Sequence, residues 1–201
     1  INITAGGHPV TIYNDNAVDG TSVALNLNAL NSGGYSSTVV TQLNGSSVSY
    51  EDIIAFDGHI KVATSAADNT LLARGDIGQN KLTGVSRTYA LDSNTDPAID
   101  GIVIFAEREN DETLVVVQLD GTTSGSHPSN IYANDLATGG AVTITLNDVD
   151  GTSGEGRTNV SQLDDTTAIT YDGITNYDGH LLVNLSSSDT SIIAEGNIGS
   201  N

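Results

Sequence analysis

Cysteine, methionine and tryptophan are absent from the 201 residues. Without cysteine there are no disulfides and no thiolate chemistry. Without an initiator methionine the sequence reads as a processed or cropped chain. Aromatic residues make up only 4% of it, so its cores must be built from Val, Ile, Leu and Ala. Positive charge is equally scarce: six Lys+Arg against 25 Asp+Glu give a formal net charge of −19. Such a balance argues against nucleic acid and against anionic membrane surfaces, favours divalent cations, and holds separate molecules apart at low salt. No apolar run approaches the length that spans a bilayer. Composition therefore favours a secreted or cell-surface protein. Five of the basic residues (Lys61, Arg74, Lys81, Arg87 and Arg108) fall between 61 and 108, and Arg157 stands alone beyond them. A less acidic middle could thus meet an acidic end of a neighbour.

What the chain does have is a diverged copy of itself. His8-Pro9-Val10-Thr11-Ile12-Tyr13 returns as His127-Pro128-Ser129-Asn130-Ile131-Tyr132, and Thr38 to Leu43 returns as Thr158 to Leu163. Phe56-Asp57-Gly58-His59 returns as Tyr177-Asp178-Gly179-His180, and Gly75 to Asn80 as Gly196 to Asn201. The offset grows from 119 through 120 to 121, which marks two small insertions in a duplicated domain. Repetition of a whole domain is the mark of an array. The expected boundaries are residues 1–80 and 81–201.

Short β-branched runs separated by Gly, Asn, Asp and Ser predict strands throughout. In the second unit these are Val85 to Leu91, Ile102 to Phe105, Leu114 to Val117, Asn130 to Ala133 and Val142 to Leu146. Ala168 to Tyr171, His180 to Leu185 and Ile192 to Glu195 complete that set, with a turn at Glu109 to Glu112. In the first unit they are Thr11 to Tyr13, Val23 to Leu27, His59 to Ala63 and Leu71 to Arg74. At most one helical turn is expected, near Tyr50 to Ile54. The fold class is all-β: two tandem antiparallel β-sandwiches of the Greek-key, Ig-like kind.

The first unit has no counterpart of roughly residues 81–116, so it is expected to lack its first two strands. An incomplete sandwich exposes apolar surface and unpaired backbone, which natural proteins avoid. Either residues upstream of Ile1 supply the missing strands, or a neighbouring copy does so by strand addition. Ile1-Asn2-Ile3-Thr4, which best matches Val117 to Asp120, is the candidate donor strand. Repeated head to tail, such a contact does not close and gives a filament.

Candidate chemistry is sparse. Four histidines, His8, His59, His127 and His180, occupy equivalent positions, two per repeat. Their spacing falls short of a transition-metal ligand set, and no redox metal is expected. The loop from Asp92 to Gly101 offers oxygen ligands at Asp92, Asn94, Asp96 and Asp100, a pattern that can wrap Ca²⁺. The alternative is a polar turn whose Asp and Asn side chains bond their own backbone. Asn14-Asp15-Asn16 with Asp19, and Asp148 with Asp150, are weaker candidates of the same kind. Asn-x-Ser/Thr triplets at Asn2, Asn44, Asn159 and Asn184 permit glycosylation and carry no more than that. There is no nucleophile elbow and no phosphate-cradling loop, so an enzyme is not expected.

Several segments taken together resemble a known family. Leu82-Thr83-Gly84, Tyr89-Ala90-Leu91, Gly101 to Arg108, Ser126-His127-Pro128, Asn147 to Gly151, Tyr177-Asp178-Gly179 and Ala194 to Gly199 are similar to CHRD (chordin-type) domains, in the tandem form of secreted bacterial proteins. The resemblance covers 81–201 fully and 7–80 as a truncated unit. It implies an extracellular β-sandwich module of the kind found in multi-repeat surface proteins. The family usually carries a His-x-His where this chain has Asn130-Ile131-Tyr132 and Thr11-Ile12-Tyr13, which removes the histidine metal function the family would suggest. The sequence thus reads as the subunit of an extracellular filament whose partners are copies of itself. The alternative is a calcium-dependent adhesion or ligand-binding module cropped from a longer surface protein. A superoxide-dismutase-like metalloenzyme is a third reading, resting only on the family's usual histidines.

Overall fold

Gly, Asn and Asp turns cut the β-branched runs into sixteen strands and two single-turn helices among the described residues. The computed structural model describes residues 6–94 and 98–201. Ile1 to Thr4, with Asn2 among them, and Asp96 lie outside that range. The chain is all-β, its ladders antiparallel throughout. It divides into two compact units, Ile1–Leu82 and Thr83–Asn201.

Unit 2 contains β7 (Leu82–Ser93, whose first residue belongs to unit 1), β8 (Asp100–Arg108), β9 (Thr113–Asp120), β10 (Ser126–His127) and β11 (Ser129–Ala133). β12 (Val142–Thr145), β13 (Val149–Asp150), β14 (Glu155–Val160), α2 (Tyr171–Thr175), β15 (Asp178–Asn184) and β16 (Ile192–Gly199) complete it. The strands hydrogen-bond in the order β10-β13-β14-β9-β8-β7-β16-β15-β11-β12. Val103, Phe105, Val115, Val117 and Leu119 from the middle of this order share one buried cluster with Ile131, Leu181, Val183 and Ile198 from its end. A ten-strand ribbon can enclose a single core only by curling over on itself, as strand twist favours. The β8–β9 hairpin turns where the sequence places it, with Asp111 at φ 64 and the Arg108 amide donating to the Glu112 carbonyl.

Unit 1 contains β1 (His8–Asn14), β2 (Val23–Leu30), β3 (Gln42–Leu43), β4 (Ser46–Ser47), α1 (Tyr50–Ile54), β5 (Asp57–Ala63) and β6 (Leu71–Gly78). Its main sheet runs β2-β1-β5-β6, and β3-β4 is a separate hairpin. That hairpin turns through Asn44-Gly45 at φ 51 and 78, the left-handed pair a two-residue loop requires. The sheet repeats the register of unit 2: Ile12 faces Ile60 and Leu25, as Ile131 faces Leu181 and Ile144. His8 faces Leu30 as His127 faces Val149. Gly78 and Gly199 close their strands at φ 60 and 70, where a Cβ would meet the Phe56 or Tyr177 carbonyl within 1.9 or 1.8 Å.

The expected helical turn at Tyr50 to Ile54 is present, capped by Ser49 and Asp52 in a reciprocal capping box. The strand expected at Ala168 to Tyr171 is not. Thr170 instead caps α2, its side chain accepting from the Gly173 amide. Ala-Ile-Thr-Tyr, with its two β-branched residues, is too short to separate a helix entry from a strand, and the cap decides.

Phe105 is fully buried in unit 2, whereas Leu72 of unit 1 faces solvent. Phe105→Ala is expected to destabilise unit 2 by about 3–5 kcal/mol, and Leu72→Ala to change unit 1 by less than about 1 kcal/mol. Denaturant titration read through amide exchange in each unit distinguishes the two.

Candidate functional site

The feature that sets unit 1 apart is a core with one side uncovered. Leu72 is 50% exposed, while its counterpart Ile193 is 2% exposed; Tyr50 is 72% exposed against 5% for Tyr171. Ile53, Ile60, Val62 and Ile77 are only half-buried, although their counterparts Ile174, Leu181, Val183 and Ile198 are fully buried. The difference lies in what covers them. In unit 2, three strands, β9, β8 and β7, lie between β14 and β16. Unit 1 has no counterparts of these among the described residues, and there β6 pairs with β5 alone.

The frame around this gap is already built. In unit 2 the Asn147 amide donates to Thr158 Oγ1 at 2.7 Å and Asn147 Nδ2 to the Arg157 carbonyl at 2.7 Å, which positions β14 for β9. In unit 1 the Asn28 amide donates to Thr38 Oγ1 at 2.9 Å and Asn28 Nδ2 to the Ser37 carbonyl at 2.7 Å. Residues 36–40 are therefore held where β14 would begin, but they form no strand. A ladder needs a second strand, and none is described beside them. The result is two backbone edges, β6 and 36–40, that no strand covers among the described residues, in a unit whose apolar side chains stay half-exposed.

The calcium candidates lie at the β7–β8 connection, on neighbouring strands of the sheet. Asp92 lies near the end of β7, opposite Glu195; Asp100 begins β8, opposite Asp120. Asn94 is exposed in the intervening loop, and Asp96 is outside the described residues. Asp100, Asp120 and Glu155 line one shallow cleft. Among the described residues no group of three His, Cys, Asp or Glu side chains is placed to hold a metal ion. The weaker candidates take the polar-turn form. Asn16 Oδ1 accepts from the Val18 and Asp19 amides, while Asn16 Nδ2 donates to Asp15 and Asp19. Asp150 accepts from the Thr152 and Ser153 amides, bonds to Ser153 that hold its carboxyl below the usual range.

The four histidines are buried staples between loops and strands. Nδ1 of His8 and His127 meets the Thr64 and Leu185 carbonyls at 2.8 and 2.7 Å. Nδ1 of His59 and His180 donates to the Asp15 and Asn134 carbonyls at 2.8 and 2.7 Å, and each ring stacks on a tyrosine, Tyr13 or Tyr132. Equivalent placement in the two repeats is the signal that could have identified them as structural partners. A second network has no signature in the residue spacing: buried Arg108 donates from Nε to Asn159 Oδ1 and Asn159 Nδ2 donates to Glu112, each at 2.7 Å. This sequon asparagine already uses both ends of its amide. Asn44 exchanges amide bonds with Asn14, and Asn184 donates to the Thr190 carbonyl.

Burial pushes His59 below the ordinary imidazole value of 6.5, helped by Lys61 and Arg74 and opposed by the Asp15 carbonyl and Asp76. Its folded form is therefore neutral, and the unfolded chain takes up the proton first. Stability from this group is complete above about pH 6.5 and falls as pH drops below it. Unit 1 is expected to lose stability between pH 7 and 5, above the range where carboxylates titrate, and His59→Gln should flatten that slope in denaturation measured across pH. Compared with known proteins, the chain matches no protein-family model and no curated protein sequence.

Proposed function

We propose that this chain is the structural subunit of an extracellular filament, assembled head to tail by β-strand complementation between copies. In this reading each unit is a β-sandwich, that of unit 1 lacking strands of its own. The observation that carries it is the burial contrast between the repeats. The same apolar positions are sealed by β7 to β9 in unit 2 and left half-open in unit 1, where two backbone edges have no neighbouring strand among the described residues. Strand addition supplies main-chain hydrogen bonds and alternate side-chain contacts together. Fully burying one large aliphatic or aromatic side chain is worth about 1.5–3 kcal/mol, and association costs on the order of 4–15 kcal/mol. Several of Leu72, Tyr50, Ile53, Ile54 and Val40 must therefore be covered at once, which an inserted strand layer does and a point contact does not. Ile1 to Thr4 of a neighbouring copy are assigned to the start of the edge at 36–40, because the first two of them match Val117 and Gln118, the last residues of β9 that pair with β14. The role is structural, not enzymatic, and needs no bound cofactor.

Electron microscopy of the secreted protein, with intact mass measured on the same sample, tests this directly. Filaments are expected. Discrete particles of a longer chain would overturn the proposal, because upstream residues would then complete unit 1 in place. The charge of −19 adds a second expectation. Like-charged subunits repel at low ionic strength, where the screening length is about 30 Å at 0.01 M against about 8 Å at 0.15 M. Filament growth followed by light scattering should accordingly be faster at the higher salt.

A further inference from the structure

We infer that the outer edge of β6 pairs with β6 of a second copy about a two-fold axis through Gly75, joining filaments, or free subunits, side by side. The inference goes beyond the head-to-tail reading and does not depend on it. Ile1 to Thr4 are assigned to the edge at 36–40, and β6 is the edge they do not serve.

Among the described residues β6 has a neighbour on one side only, and Leu71 to Gly75 are exposed. Its charges form a pattern that complements itself. Arg74 and Asp76 flank Gly75 on one face of the strand, where Arg74 Nη1 donates to the Ala17 carbonyl at 3.4 Å and Asp76 Oδ1 accepts from the Ala17 amide at 2.6 Å. Antiparallel pairing centred on Gly75 brings Arg74 of each copy opposite Asp76 of the other, two opposite-charge pairs in one contact. On the other face it sets Ala73 opposite Ile77, apolar against apolar. The nearby registers fail. Centring on Arg74 opposes two arginines, centring on Asp76 opposes two aspartates, and a shift by one residue turns the apolar positions of one copy onto the polar face of the other.

Unit 2 shows that the charge at 76 is not needed by the fold. The counterpart of Asp76 is Asn197, whose Oδ1 accepts from the Leu136 amide at 2.8 Å as Asp76 does from Ala17. A neutral side chain therefore makes the same loop bond. Arg74 stands opposite Lys61, a like-charge pair that weakens the ladder, whereas its counterpart Glu195 faces Leu182. An aspartate arriving across the outer edge offsets that opposition.

Glycine marks the centre of the contact. In unit 2 the antiparallel neighbour β7 lies so close to Gly196 that a Cβ there would meet the Ala90 carbonyl within 2.2 Å. Gly75 is the counterpart on β6, facing Ile60 as Gly196 faces Leu181, and a Cβ on it would meet nothing within 4 Å. A mid-strand glycine weakens a ladder and suits a place where another backbone approaches closely. Net charge selects unit 1 as its own partner. Seven acidic and three basic residues within 1–82 give it a formal −4, and the other −15 of the chain's −19 lies in unit 2. Contact between two first units thus meets the least repulsion that two copies of this chain can offer. Because the axis reverses direction, the filaments it joins run antiparallel.

The test uses the full chain. Amide exchange over Leu71 to Ile77 is followed against protein concentration, and electron microscopy shows whether filaments lie in pairs. Protection of β6 is expected to rise with concentration. Arg74→Asp sets aspartate against Asp76 and should weaken the pairing at least about tenfold, leaving single filaments. Adding Asp76→Arg to it should restore pairing, because a two-fold contact brings the exchanged charges opposite each other again. Asp76→Asn keeps the Ala17 bond, as Asn197 shows, and should weaken pairing about three- to tenfold even if the double variant does not fold. Exchange that ignores concentration, pairing unchanged in Arg74→Asp and Asp76→Asn, or a folded double variant no better than Arg74→Asp overturns the inference. Loss of all filaments in Arg74→Asp would place β6 in the head-to-tail contact and overturn the two-fold one. Wild-type dimers without filaments would uphold the β6 contact and reject the filament reading.

Discussion

Everything particular about this protein follows from whether a three-strand layer lies across the inner face of the repeat. Where β7, β8 and β9 are present, they close the ladder between β14 and β16 and seal Ile174, Leu181, Val183, Ile193 and Ile198 from water. Where no such layer is described, Ile53, Ile60, Val62 and Ile77 stay half-exposed. The two effects are linked by geometry, because a strand that pairs with an edge also lays alternate side chains on the adjoining face. One missing layer therefore leaves both backbone and apolar surface unsatisfied.

Unit 1 nevertheless holds its shape. Its β2-β1-β5-β6 sheet keeps the register of unit 2, its α1 is capped, and the Asn28 bracket fixes residues 36–40. His8 and His59 tie loops to strands through carbonyl hydrogen bonds, contacts that need no covering layer. Local polar bonds of this kind position an edge without closing it, and a pre-positioned edge loses less entropy when a strand is added. The scarcity of positive charge gives the surviving cations weight: Lys61 and Arg74, opposed on β5 and β6, stand in a chain that otherwise repels its own copies.

Much of the fold was legible in the residues. The paired motifs His8-Pro9 and His127-Pro128, and Asp57-Gly58-His59 and Asp178-Gly179-His180, mark matching strands, and the β-branched runs at 102–105 and 114–117 lie within β8 and β9. Ala168 to Tyr171 misled, because four residues with a β-branched pair do not separate a strand from a capped helical turn. The histidine staples were not legible as such: Thr64, Asp15, Asn134 and Leu185 meet them through backbone carbonyls, which carry no side-chain signature. Arg108, Asn159 and Glu112 likewise come from three segments whose convergence depends on the β9–β14 pairing.

The sequence by itself determined the all-β class and the duplication, because strand periodicity and repeat offsets are local or linear properties. Only the tertiary structure decided which apolar residues are left half-covered, and that Gly75 adjoins open space where Gly196 is packed against β7. Burial and close approach are properties of a surface shared by distant segments, and no window of sequence contains both sides of it.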